Sequence, residues 1–163
     1  MKTIKAQPLT KKAFAPYGEY YSMSNPDGYA LCGEIHRFYP DRVLANECGN
    51  VGFSPILVKK PQTMLIKQVE YHTTTCELIL PLNDDMIVHV AQPSAGKPIP
   101  EETKAFIVPK NTLIKMNACV WHLAPLPKNA EEVSVMIILP ECTYINDCIV
   151  VDLKEEEKFE IEL

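Results

Sequence analysis

Fourteen prolines and six glycines cut this chain into short apolar runs, and almost nowhere do apolar residues recur at the 3.6-residue spacing of a buried helix face. Long helices are therefore excluded, because a proline inside a helix removes an amide donor and clashes with the preceding turn. Short strands joined by turns remain. The runs predict strands at 34–39, 51–59, 63–71, 76–81, 87–91, 105–108, 112–116, 133–139 and 148–153, about eight to ten in all, the pattern of a sandwich or closed barrel. One helical turn is expected near the start, where Thr10 precedes Lys11-Lys12-Ala13-Phe14-Ala15 and Pro16 stops it. Residues 22–34 read as a loop.

Turn chemistry points the same way. Asn83-Asp84-Asp85 reads as a hairpin turn, and 92–102, with Pro93, Gly96, Pro98 and Pro100, as a longer loop. No linker divides the chain, and 163 residues at 47% hydrophobic can bury one core, so a single domain over 1–163 is expected. The acidic stretch 154–162 reads as a solvated extension or an edge strand.

A net charge of -5 with no basic stripe excludes nucleic acid as a partner. Met1-Lys2-Thr3-Ile4-Lys5 lacks the apolar run of a signal peptide, and no run approaches a membrane span. A cytoplasmic protein with no membrane partner is expected. Cys32, Cys48, Cys76, Cys119, Cys142 and Cys148 are scattered without a Cys-x-x-Cys pair. They read as reduced thiols, most of them packed as small hydrophobes, with Cys76 and Cys119 flanking the candidate site.

That site is marked by ligand spacing. Residues two apart on a strand share a face, so Glu70 and His72 point one way, and Glu77 can return to them after the Thr73-Thr74-Thr75 bend. His122, after Cys119-Val120-Trp121, supplies a fourth group from a neighbouring hairpin. Two histidines and two carboxylates suit a divalent Mn, Fe, Ni or Zn ion. The same residues could equally be hydrogen-bonded carboxylates and satisfied histidines. His89, in the apolar run 86–91, can face the interior or the outside, and His36 reads as packing or surface.

The spacing of 70–77 and 111–122 resembles the paired motifs of the cupin superfamily of metal-binding β-barrels. Glu70 stands where the first motif begins with histidine, and Asn111, Asn117 and Cys119 stand where the second carries glycine, proline and glycine. Within that superfamily the chain resembles the ureidoglycolate lyase family. The likeness lies in Ala6-Gln7-Pro8-Leu9-Thr10, Phe14-Ala15-Pro16-Tyr17-Gly18-Glu19, Glu70-x-His72 with Ile79-Leu80-Pro81-Leu82, Lys104-Ala105-Phe106-Ile107-Val108-Pro109 and, most specifically, Val120-Trp121-His122.

The resemblance implies an all-β, cupin-type double-stranded β-helix (a jelly-roll barrel) with a short N-terminal helical turn, assembled as a homodimer. It implies cleavage of a small-molecule substrate, ureidoglycolate, into glyoxylate and urea, a step of purine catabolism and allantoin degradation. It gives His72, His122 and Lys115 catalytic roles, and Arg37, Lys115 and Trp121 substrate contacts, the cations pairing with the substrate carboxylate. Glu70, His72, Glu77 and His122 would hold a divalent metal. The chain departs from the family at Lys115-Met116-Asn117-Ala118, at Leu123, and at Pro55-Ile56-Leu57 after Ser54. Two alternatives therefore stay open: a metal-dependent isomerase or epimerase acting on a sugar or sugar acid, and a non-catalytic small-molecule-binding barrel.

Overall fold

The computed structural model describes residues 2–47 and 49–163. Met1 and Cys48 lie outside the described residues. In chain order the elements are β1 (Lys2–Pro8), α1 (Lys11–Phe14), β2 (Gly18–Ser22), β3 (Leu31–Cys32), β4 (Arg37–Phe38), β5 (Val51–Lys59), β6 (Leu65–Ile66), β7 (Gln68–Tyr71), β8 (Glu77–Pro81), β9 (Met86–Val90), β10 (Lys104–Val108), β11 (Thr112–Met116), β12 (Leu126–Pro127), β13 (Glu132–Pro140), α2 (Thr143–Asn146), β14 (Ile149–Asp152) and β15 (Phe159–Glu162).

Two sheets face each other across a shared interior. One has the order β12-β9-β10-β1-β15-β6 and the other β2-β11-β8-β13-β5; β14-β7 and β3-β4 form two-stranded ribbons. Strict alternation on β13 buries Val133, Val135, Ile137 and Leu139. They pack with Ile79, Ile114, Met116, Val88, Phe106 and Phe14 to fill the interior. Thr10 caps α1 through its hydroxyl, and the turn exists to deliver Phe14, whose ring meets Phe106 edge-on at 5.4 Å. A second cluster lies on the other face of the six-stranded sheet, with Ile4, Ala6, Ile87, Ala105, Trp121 and Phe159 among its members.

β5 and β11 lie where the apolar runs place them, and the helical turn is as predicted. Several expectations need correction. The run 63–71 breaks at Lys67 into β6 and β7, which pair with different partners, β15 and β14. The predicted strand 34–39 shrinks to β4, paired with β3 inside the predicted loop. The acidic tail divides: Lys154, Glu155 and Glu156 are exposed, but the strand after them is no edge, for β15 runs between β1 and β6, with Phe159 and Ile161 buried. Its period-two alternation of apolar and acidic residues is a strand signal that the charge count obscured.

The hairpin reading of Asn83-Asp84-Asp85 also fails. β8 and β9 belong to different sheets, so this turn is an arch across the interior. Sequence spacing does not distinguish an arch from a hairpin, because both need a polar turn between two apolar runs.

A candidate metal centre at the end of the barrel

Two further arches carry the candidate ligands. The first leaves β7, which pairs with β14, and enters β8 of the five-stranded sheet. Glu70 lies within β7, His72 just after it, and Glu77 opens β8. The second leaves β11 and brings Trp121 against Ala91 and His122 against Glu70 as isolated bridges. The Glu70 and His122 backbones exchange both amide bonds, at 2.7 and 2.9 Å. The sequence suggested two ligand-bearing hairpins; the structure has two arches stitched to each other.

The result is a buried trio. Ligand atoms of His72, Glu77 and His122 lie within 4.8 Å of one another, and all three residues are buried. Glu77 Oε2 accepts from His72 Nε2 at 3.1 Å and from His122 Nε2 at 2.7 Å. Glu77 shares the interior face with Ile79, because Met116 pairs with Glu77 and Ile114 with Ile79. Glu70 sits at the margin, half-buried, its Oε1 3.9 Å from His122 Nε2.

Each imidazole is oriented from behind. His72 Nδ1 donates to the Asp147 carbonyl at 2.6 Å, and His122 Nδ1 to the Val120 carbonyl at 2.9 Å. Both Nε2 atoms therefore turn toward the centre, the arrangement in which histidine binds a metal while its other nitrogen is tied to an acceptor. Two imidazole nitrogens and one carboxylate form a donor set that fits a first-row divalent ion.

Burial alone would raise Glu77, but the charges and hydrogen bonds of His122 and His72 outweigh it and hold its carboxyl at about 2. Burial alone would lower both histidines, and Glu77 reverses that and raises them.

Not every predicted site residue comes to this cluster. Lys115 lies on the opposite face of β11 from Met116, with its Nζ 2.6 Å from Glu19 Oε1 and 2.6 Å from the Leu44 carbonyl. Arg37 lies on the exposed β4 and lines a separate cavity with Tyr21 and Arg42. Trp121 is core: it is buried, its Nε1 donates to Ser94 Oγ at 2.9 Å, and its ring stands 4.4 Å from that of Tyr71. His89 is buried against Phe159, and its Nε2 has no partner among the described residues. Burial, then the charge of His122, pushes its ring down to about 3.

The expectation that most cysteines are buried does not hold among the described residues. Cys32 and Cys142 are exposed, and Cys76, Cys119 and Cys148 are half-buried. The last three are used at the site's edges, where Cys76 Sγ reaches Glu47, Cys119 Sγ the Thr73 carbonyl and Cys148 Sγ Glu70. Burial, then Glu47, pushes Cys76 up to about 12; burial, then Glu70, pushes Cys148 up to about 11. Both stay protonated and act as donors.

Residues that sequence reasoning missed cluster on and after α2. Tyr144 lines a cavity of about 480 Å³ with Gly52, Ser54, Ile137 and Leu139. The register Ile138↔Leu78 sets Leu139 at the end of β13 nearest to Glu77, but the trio itself does not line this cavity. Burial, then the charges of Glu77 and Glu70, raises the Tyr144 phenol. No spacing rule pointed to Tyr144 or Asp147; the only hint was the Thr73-Thr74-Thr75 run, whose six donors need an acceptor.

Known proteins resemble this chain in sequence and in fold. A ureidoglycolate lyase of Pseudomonas aeruginosa (strain LESB58) is 27% identical over 126 residues, 75% of each chain. One from Mesorhizobium japonicum is 31% identical over 132 residues, covering 77% of this chain and 80% of that one. Among solved structures, a dTDP sugar isomerase from Desulfovibrio desulfuricans G20 superposes with a TM-score of 0.53 at 11% identity, over 87% of this chain and 89% of that one. This likeness concerns the fold, a cupin-type barrel. The profile of the family described as ureidoglycolate lyase matches residues 1–162, and the chain belongs to that family.

Proposed function

We propose that this protein is a ureidoglycolate lyase that splits ureidoglycolate into glyoxylate and urea at the His72–Glu77–His122 centre. The observation that carries this reading is the buried His–Glu–His trio in a chain matched by the family profile over 1–162. The reaction removes the hemiaminal hydroxyl proton, forms the carbonyl, breaks the C–N bond and returns a proton to the urea nitrogen.

His72, Glu77 and His122 would hold a divalent ion, which when bound supplies Lewis-acid polarisation of the substrate's oxygens. Glu70 is the carboxylate left for proton transfer: it borders the trio, and its second oxygen is held by Cys148 at 3.4 Å. Tyr144, kept as a neutral phenol by burial and by the charges of Glu77 and Glu70, would be the donor toward the departing urea. Lys115 and Arg37 take no part in this scheme. The ion's identity, homodimerisation, a cytoplasmic location and a place in purine catabolism belong to the same proposal. A homodimer would cover the exposed Phe53 and Leu57 on the edge strand β5.

The test is release of glyoxylate and urea from ureidoglycolate by protein loaded in turn with Mn, Ni, Fe and Zn, with Glu70→Gln and Tyr144→Phe assayed alongside. Metal-dependent turnover that both variants reduce supports the assignment. Stoichiometric metal without turnover leaves the isomerase or binding-barrel reading.

A further inference from the structure

We infer that Asp147 is the positioning residue of the centre, with its carboxylate fixing the arch between His72 and Glu77 and its backbone carbonyl fixing the His72 ring. The role rests on the catalytic reading of the trio. Asp147 follows the single turn α2, and its two carboxylate oxygens take six donors from three consecutive threonines. Oδ1 accepts from Thr73 N at 2.7 Å and from the Thr73 hydroxyl. Oδ2 accepts from the amide and hydroxyl of Thr74, at 2.9 and 2.8 Å, and of Thr75, both at 3.2 Å.

These three threonines and Cys76 are the whole connection between the two ligands His72 and Glu77. Cys76 N is itself held by Glu47 Oε1 at 2.9 Å. Four successive amides that no sheet pairs are thus satisfied by two carboxylates, and the arch has one geometry rather than many. Burial would raise Asp147, yet these bonds outweigh it and hold the group below the usual carboxylate range.

The carbonyl of the same residue accepts from His72 Nδ1 at 2.6 Å, which fixes the ring's orientation and aims Nε2 at Glu77. One residue therefore sets the spacing of two ligands and the orientation of one of them. A one-turn helix does not hold itself. α2 is anchored at its start by Thr143 Oγ1, which donates to the Pro140 carbonyl at 2.8 Å, and at its end by this carboxylate.

The experiment uses the metal-free full chain for nitrogen-15 NMR of the histidine rings and the same protein for zinc titration by calorimetry. Asp147→Asn should displace or broaden the His72 Nδ1–H resonance, leave that of His122 in place, and weaken zinc binding by about 10- to 100-fold. Thr75→Val removes a single hydroxyl donor, folds more safely, and should act in the same direction by roughly 2- to 10-fold.

Asp84→Asn is the structural control. Asp84 caps another turn through Asn129 and Ala130, so its loss should lower Tm and leave His72 and zinc affinity unchanged. If Asp147→Asn or Thr75→Val behaves like this control, the positioning role is overturned. If His72 responds but the wild type never turns over ureidoglycolate, the role stands and the proposed substrate falls.

Discussion

Glu77 Oε2 lies 2.7 Å from His122 Nε2, inside the barrel and away from water. The same oxygen serves His72 at 3.1 Å, so one buried carboxylate holds two imidazoles together. Glu77→Gln keeps the shape and removes the charge. Its amide cannot compensate two cationic rings, nor serve as an anionic ligand. Metal affinity and glyoxylate release should both fall at least 10- to 100-fold, with far-UV circular dichroism unchanged. Turnover at the wild-type rate would remove Glu77 from the mechanism.

The four ring nitrogens of the trio also predict a pH dependence. Each faces an acceptor: two backbone carbonyls behind, and Glu77 in front. All four contacts are hydrogen bonds only when both rings are imidazolium, in agreement with their raised pKa values. A divalent ion on the two Nε2 atoms would replace two protons and leave the charge of the centre unchanged. Zinc affinity should therefore rise with pH, with a logarithmic slope approaching about two below the histidine pKa values. Calorimetry in buffers of different ionisation enthalpy would count the protons released; a slope near zero rejects the exchange.

The stability of the metal-free protein has matching signs. Raised histidines contribute stability that is complete below 6.5, the ordinary value, and lost as pH climbs through their folded values. Glu77 contributes stability present above 4.5 and lost as pH falls toward about 2. Bound metal should flatten the alkaline loss, read as Tm against pH with and without a chelator.

His89 has the opposite linkage from the other two buried histidines. Its folded pKa of about 3 lies below the ordinary 6.5, so between these values the unfolded chain binds a proton that the folded one refuses. Stability then declines on acidification at up to about 1.4 kcal/mol per pH unit. His89→Leu removes that term together with a buried nitrogen that has no partner among the described residues, and should be at least as stable at pH 7. Its loss of stability between pH 6 and 4, followed by urea unfolding, should be shallower. An unchanged slope would mean that the ring finds a partner.

Much of the fold was legible because it rests on local patterns: β5, β11 and the Thr10-capped turn follow directly from apolar runs, proline and capping chemistry. What stayed hidden was relational. β1 and β15 pair in parallel, Ile4 against Ile161, from opposite ends of the chain, and no local signal reports a partner over 150 residues away. His72, Glu77 and His122 were found because ligand spacing reflects which strand face a residue occupies. Lys115 does not join them, because side-chain type says nothing about face: Glu19 and the Leu44 carbonyl hold it on the other side of β11 from Met116. Asp147 was missed because its carboxylate and its carbonyl meet partners 72 to 75 residues away in the chain, which no local spacing reports.

The second motif carried a testable clue at Cys119. Asn111 and Cys119 stand where the related motif has glycines, and both adopt left-handed backbone, with φ of 59° and 65°. Both positions have the conformation that favours glycine without having glycine. Asparagine tolerates it; cysteine does so at a cost of about 1–2 kcal/mol. The strained residue closes one arch on the other, since the Cys119 amide donates to the His72 carbonyl at 2.6 Å. Cys119→Gly should relieve the strain and lose only a weak thiol contact to Thr73 at 3.4 Å, but glycine also gives the unfolded chain more freedom. The net change should be between zero and about 1 kcal/mol of stabilisation. Cys119→Val, β-branched and poorly suited to positive φ, should lower Tm by about 2–6 °C and weaken zinc binding by loosening His72. Thermal unfolding of the two variants beside the wild type gives the order Gly, Cys, Val; a valine variant as stable and as tight for zinc as the wild type would mean that this backbone is not what holds the arches together.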